Sequence, residues 1–274
     1  MFGENGRREG TGTRSGGVAL LSEWADSHML REFFDAIVDK DIGAASTWLP
    51  GIREGAASGD PYCHEALGAF ALEIDDDRSQ AYEHLKVAAD AGIPSAQRGL
   101  GHLLMEGDHK DHTAAAALFH KAALQGDPFA QYNLAGMYLR GDGVAQSDDE
   151  GLRFLDMAAR GGVSEAAIQL ADIRLTQEDF AGARRALERH IQLSDDLPPA
   201  SALNLAAMCY QGVGGPVDKI KAMGSSLKAA QLGDRDTGLG YARTVLDELK
   251  LTKDDIRQAI EWAHVGDWAQ SLTR

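Results

Sequence analysis

The side chains best suited to chemistry in this chain are its nine histidines and two cysteines. The densest histidine set is His109-Lys110-Asp111-His112, with His102 seven residues before it, His120 eight after it, and Asp108 and Asp111 alongside. Two histidines in an inter-helix loop and one on the following helix could hold a tetrahedral zinc ion. No cysteine joins them, however, the spacing matches no standard site, and no H-E-x-x-H helix is present. A solvated loop without metal is the expectation. Cys63 stands beside His64 and Glu65, but a nucleophilic thiol needs a positioned base and an oxyanion site, and no second base lies nearby in sequence. The glycine runs Gly141-Asp142-Gly143 and Gly212-Val213-Gly214-Gly215 lack the Lys and Ser/Thr of a phosphate loop and follow helical rather than strand patterns. The acid runs Asp75–Asp77, Asp148–Glu150, Asp195-Asp196 and Asp254-Asp255 lack the alternating ligands of a calcium loop. The expectation is a chain with no catalytic set, no bound cofactor and no metal.

Charge narrows the partners. There are 42 acidic against 27 basic residues in 274, a net charge of -15. Neutralising nucleic-acid phosphates needs a basic face, and so does adhesion to an anionic membrane. The balance argues against both and favours a basic partner. Two cysteines exclude a disulfide-dense scaffold. Residues 1–17 are polar and Gly-rich, with Arg7, Arg8 and Arg14 but no apolar stretch, and read as a disordered tail rather than a signal peptide. No run of 18 apolar residues occurs. A cytoplasmic location is the default expectation.

The elements that would position any site follow from an internal repeat. A small residue, a large one four positions on, and then Gly or Ala recur at Cys63/Leu67/Gly68, Ala96/Leu100/Gly101 and Ala130/Leu134/Ala135. The pattern returns at Ala166/Leu170/Ala171, Ser201/Leu205/Ala206 and Thr237/Tyr241/Ala242, so the large residues are spaced 33, 34, 36, 35 and 36 apart. A second signal in the same phase is a small pair with Gly three further on, as in Ala88-Ala89/Gly92, Ala122-Ala123/Gly126, Ala158-Ala159/Gly162 and Ala229-Ala230/Gly233. Each unit reads as two helices. Asp60-Pro61 and Asp127-Pro128 place an N-cap before proline at the first helical position. Ser147-x-x-Glu150 and Thr252-x-x-Asp255 resemble capping boxes at second-helix starts. One such hairpin cannot bury its apolar face alone, whereas stacked hairpins can. The small residues let the paired axes approach to about 8 Å. In this phase Cys63 takes a small packed position and Cys209 a large apolar one, and an intrachain bridge four repeats long is implausible.

The stretch from Ala130 through Tyr138 and Gly141-Asp142-Gly143 to Ala158-Ala159-Arg160-Gly161 closely resembles the Sel-one-like repeat, one of the tetratricopeptide-like α-solenoids. The resemblance covers roughly residues 60–266. It implies an all-α, right-handed α-solenoid of about six stacked helix-turn-helix repeats. The fourth unit departs from it. Thr176-Gln177-Glu178-Asp179-Phe180 replaces the glycine loop, and the unit ends at Leu193-Ser194 without the small pair. The first unit carries Asp75-Asp76-Asp77 where the glycines belong, and the last ends in Trp262. Residues 18–59 read as an N-terminal helical cap, with Leu30, Phe33, Phe34, Ile37 and Val38 on one face and a second helix ended or bent near Pro50-Gly51. Residues 267–274 read as a C-terminal tail. Trp262 and Trp268 leave an aromatic end that either folds back over the last hairpin or meets a second copy in a dimer.

Aligning the first helices separates apolar columns from a polar, variable stripe. The stripe holds Tyr62, His102, Glu106, Phe129, Asn133, Arg140, Gln169, Asp172, Asn204, Gln211 and Arg243, with Glu73, Glu165 and Asp247 at equivalent positions. The resemblance implies that first helices line the concave face of the solenoid, which makes this stripe the candidate partner-binding surface. Asn133, Gln169 and Asn204 suit a peptide backbone, and Tyr62 and Phe129 suit apolar anchoring. The resemblance further implies a non-catalytic scaffold or adaptor that binds a protein or peptide. The charge suggests an immunity or inhibitor protein covering a basic toxin or enzyme as the alternative. A hydrolase of the β-lactam type, linked to some cysteine-rich members of the family, is the remaining reading, and the paired cysteines of those members are missing here.

Overall fold

The computed structural model describes residues 28–106, 110–193, 197–266 and 268–269. The described residues form fourteen α-helices and no strand. An N-terminal pair, α1 (His28–Val38) and α2 (Ile42–Ala57), packs against the first of six successive helix pairs. Their first helices are α3 (Pro61–Glu73), α5 (Pro94–Met105), α7 (Pro128–Arg140), α9 (Ser164–Thr176), α11 (Pro199–Gln211) and α13 (Arg235–Glu248). The second helices are α4 (Arg78–Asp90), α6 (His112–Leu124), α8 (Asp148–Arg160), α10 (Phe180–Leu193), α12 (Lys219–Gln231) and α14 (Lys253–Trp262). Most helices pack mainly on their neighbours in sequence, the mark of a quasi-one-dimensional stack, whereas α14 packs on α12 rather than on α13. The expected tail of residues 1–17, and residues 18–27 of the cap, lie outside the described residues.

Short-range chemistry sets the helix starts. Asp41, Asp60, Asp77, Asp111, Asp127, Asp218 and Asp234 are N-caps whose carboxylates accept backbone N–H bonds from the first turn. Part of the acidic excess is therefore spent on starting helices. Thr252 and Asp255 close a reciprocal capping box on α14. In the first unit Asp77, the last residue of the acid run, caps α4, and Asp76 before it takes φ +52. Asp and Asn tolerate that left-handed conformation best after glycine, which is how the unit turns without its glycines.

Two kinds of glycine recur. Gly126, with φ +96, has open space where a Cβ would sit, so only its backbone conformation selects it. Gly143 and Gly214, with φ +71 and +74, differ: a Cβ there would collide with the carbonyl groups of His112 and Phe180. Those two residues begin the second helices of the preceding units, so each glycine loop is pressed against the neighbouring repeat. Within hairpins a methyl on Gly68 would stand 2.6 Å from Leu85, and one on Gly101 2.7 Å from Phe119. The small residues thus admit large partners. Phe119, Phe154, Leu85, Leu134 and Leu170 are fully buried along one continuous core, and Phe33 of α1 stacks on Phe70 of α3 at 5.7 Å to extend it.

Three local outcomes differ from, or choose among, the sequence expectations. Helix α2 runs unbroken through Pro50. Pro50 and Ser46, the residue whose carbonyl loses its helical donor, are both exposed, so water serves that carbonyl. In the fourth unit Glu178 makes the turn with φ +60, and α10 touches α11 only sparsely, as its missing small pair and glycine would produce. At the C-terminal end Trp268 folds back, with the Arg235 guanidinium 5.6 Å from its ring centre, and Trp262 packs on Gly224 of α12.

Candidate interaction surface

The stripe residues sit on first helices whose apolar columns face the core. Leu134, Ala135 and Ala130 of α7 are buried, which turns Asn133, Gly136 and Arg140 outward. All eleven predicted positions are exposed or half-exposed; none is buried. Phe129 is the most accessible aromatic on α7, at 46%, and Arg98 of the preceding repeat lies 5.4 Å from its ring centre. Arg140 folds back toward Gly136 in the last turn of α7, where its charge complements the helix dipole.

Contacts across repeats join successive first helices, and one of them links two stripe positions. His102 Nε2 of α5 meets Asn133 Nδ2 of α7 at 3.0 Å. Glu65 of α3 accepts a hydrogen bond from Ser95 of α5. Arg98 of α5 reaches Asp127 and Phe129 at the start of α7. Burial, and then the Glu165 charge on α9, push the Tyr132 phenol of α7 above its usual pKa. One register repeats: the residue two before the leucine of the repeat pattern faces the start of the next first helix. Sequence reasoning missed Glu65, Arg98 and Tyr132 because it aligned columns within a repeat; the signal was their shared offset from Leu67, Leu100 and Leu134. His102 stacks edge-on against Phe119, and burial there, with Arg98 nearby, lowers its pKa and favours a neutral ring.

The charges of the stripe are unpaired. Glu73, Glu106, Glu165, Asp172 and Asp247 stand against Arg140 and Arg243, and none of them forms an ion pair among the described residues. Gln169, Asn204 and Gln211 likewise spend no side-chain hydrogen bond within the described residues. Several second-helix acids are instead tied to cations: Asp156 to Arg160 and Arg189, Glu188 to Arg184 and Lys221, and Asp255 to Lys219.

The residues considered for catalysis and metal binding do not converge. Both cysteines are buried. Burial, aided by the Asp60 charge, pushes the Cys63 thiol up to about 11, and burial pushes Cys209 up to about 12. Neither is a thiolate at neutral pH. His109 lies outside the described residues. His112 Nδ1 pairs with Asp142 across the repeat boundary, His102 belongs to the stripe, and His120 packs edge-on to Phe154 at 6.2 Å. Among the described residues no three His, Cys, Asp or Glu side chains gather into a group able to enclose a metal ion. No helix among them is long and apolar enough to cross a membrane.

Comparison with known proteins agrees with this architecture. The Sel1 repeat matches residues 66–93, 94–127, 128–163 and 199–234. The gap between the last two is the divergent fourth unit. DAP3-binding cell death enhancer 1 of Rattus norvegicus is 33% identical over 96 residues, covering 35% of this chain and 19% of its own length. The uncharacterized protein NMB1327 of Neisseria meningitidis serogroup B is 32% identical over 124 residues, covering 44% of this chain and 26% of its own. The chain thus spans only 19% and 26% of the length of these relatives. Among solved structures, c5321, a protective antigen of uropathogenic Escherichia coli with an SLR fold, aligns over 82% of this chain and 58% of its own at 21% identity and a TM-score of 0.56. A Sel1 repeat protein from Oxalobacter formigenes aligns over 45% of this chain and 97% of its own, at 33% identity and a TM-score of 0.41. With four matched repeats and a stack of six hairpins, the chain belongs to the Sel1-repeat proteins and is an α-solenoid.

Proposed function

We propose that this protein is a non-catalytic scaffold that binds an extended protein or peptide segment along its first-helix stripe, on the concave face of the solenoid. The observation that carries the reading is a run of polar groups on successive first helices above a packed core, of which Gln169, Asn204 and Gln211 spend no side-chain hydrogen bond among the described residues while His102 and Asn133 bond each other. Sel1-repeat proteins in general mediate protein–protein interaction, and the rat relative is named for binding another protein. The amides of Asn133, Gln169 and Asn204 hydrogen-bond the ligand backbone, while Phe129 and Tyr62 give apolar contact. Helices α1 and α2 close one end, and the protein acts in the cytoplasm without nucleic acid, membrane or cofactor.

A second reading is favoured by the unpaired acids of the stripe. It makes the partner a basic toxin or enzyme that this protein covers as an inhibitor, with association accelerated by complementary fields. One experiment addresses both. Partner capture from the native host is compared between the wild type and a combined Asn133→Ala, Arg140→Ala, Asn204→Ala variant at two salt concentrations. Loss of capture with unchanged helicity supports the stripe, and steep salt sensitivity supports the basic partner. Equal capture by the variant removes the proposal.

A further inference from the structure

A cleft of about 370 Å³ opens between α2, α3 and α4, away from the first-helix stripe. Leu67 and Phe70 contribute apolar walls, and Arg53, Asp75, His64 and His84 contribute polar ones. His64 Nδ1 and His84 Nδ1 face each other at 3.0 Å, with ring centres 5.2 Å apart and planes inclined by 47°.

Both histidines break the repeat, and they do so in the same unit. The positions equivalent to His64 in the next two units hold Gln97 and Gln131, whose amides donate to Ala89 O at 3.3 Å and Ala123 O at 3.1 Å of the preceding helix. The positions equivalent to His84 hold the apolar Leu118 and Phe154. Packing the solenoid therefore does not call for an imidazole at either place.

Two imidazole nitrogens at this separation share either a proton or a cation. Metal–nitrogen bonds of about 2.0–2.1 Å place two cis ligands about 3.0 Å apart at a right angle and about 3.4 Å apart at the tetrahedral angle. The right-angled arrangement is that of tetragonal Ni²⁺ and Cu²⁺. We infer that His64 and His84 form an open two-histidine site for a late first-row divalent cation, with the remaining positions turned to the cleft and filled by water.

The surroundings fit that occupant. The two facing ring nitrogens open onto the cleft, where water can complete a coordination shell. Asp75 lines the cleft and forms no ion pair among the described residues. Since no third ligating side chain among the described residues joins the pair in a closed group, the site is an open, exchangeable one and not a structural closed one.

The test is a calorimetric titration of the full chain with NiCl₂, in a buffer that does not chelate, for the wild type, His64→Gln, His84→Ala and the control His120→Ala. His64→Gln restores the residue type of the neighbouring repeats and is the variant expected to keep the fold, which circular dichroism checks. The expected result is one saturable site in the wild type and the control, weakened at least tenfold in both cleft variants. In parallel, long-range ¹H–¹⁵N spectra of wild-type histidines should show Ni²⁺ perturbing His64 and His84 before the others, a readout that needs no variant to fold. Absence of saturable uptake by the wild type, uptake unchanged in His64→Gln, or first perturbation at other histidines would overturn the assignment.

Discussion

Arg98 on α5 donates from Nε to Asp127 Oδ2 at 2.9 Å, and both side chains are nearly sealed from solvent, 5% and 9% exposed. The other oxygen of Asp127 accepts the Ala130 N–H and caps α7. One carboxylate therefore starts a helix and locks it to the preceding repeat. Asp127→Ala removes both functions and takes the carboxylate from a buried guanidinium. The expected cost is about 3–5 kcal/mol, read from urea denaturation. Arg98→Met leaves the buried Asp127 carboxylate without its guanidinium but keeps the cap, so it should be costly too, falling short of Asp127→Ala by the worth of the cap, about 1 kcal/mol.

Glu65 ties the stack to pH. It is fully buried, accepts a hydrogen bond from Ser95, and burial raises its pKa from 4.5 to about 7 despite that bond and the Arg98 charge. A carboxyl whose folded pKa lies above its unfolded one binds its proton more tightly when folded. Its contribution is full below about pH 4.5 and is lost as pH rises through about 7. Over that window the loss amounts to about 3 kcal/mol. Glu65→Gln should abolish this slope. Denaturation at several pH values should therefore show the variant gaining on the wild type between pH 4.5 and 8.

The two kinds of glycine should respond differently to alanine. Gly126→Ala introduces a left-handed Cβ into open space, a strain of about 1–2 kcal/mol. Gly143→Ala adds a collision with the backbone at His112, where neither side can yield without parting two repeats. The melting temperature should fall at least twice as far for Gly143→Ala as for Gly126→Ala.

The thiols should be silent. With both cysteines buried and their pKa values raised to about 11 and 12, the folded protein at pH 8 should leave an aromatic disulfide reagent almost uncoloured. Addition of denaturant should release both thiols. Rapid labelling of Cys63 in the folded state would reopen a nucleophilic role.

What the sequence made legible was whatever a repeat states many times. Two signals in one phase gave the six hairpins, and Asp-Pro pairs gave the starts of α3 and α7. Stripe exposure followed from helical spacing alone, because the apolar columns leave one other face. Contacts between columns were not legible. His64 and His84 lie 20 residues apart and His102 and Asn133 31 apart, and their meeting depends on how far each helix is rotated about its axis. Pro50 misled because proline acts on the backbone locally, while exposure, a tertiary property, decides whether the freed carbonyl is served by water. The divergent fourth unit was visible as a departure, but its thin contact with α11 depends on packing that no single unit encodes.

The proposal that partners dock on the first helices is tested most directly by site-specific photocrosslinking in the native host. Crosslinkers are placed at Asp172 and Asn204 on that stripe and at Val87 and Lys121 on second helices, all exposed. The account predicts that one and the same protein is captured from the two stripe positions and not from the other two. Capture from Val87 or Lys121, with none from Asp172 and Asn204, would contradict it.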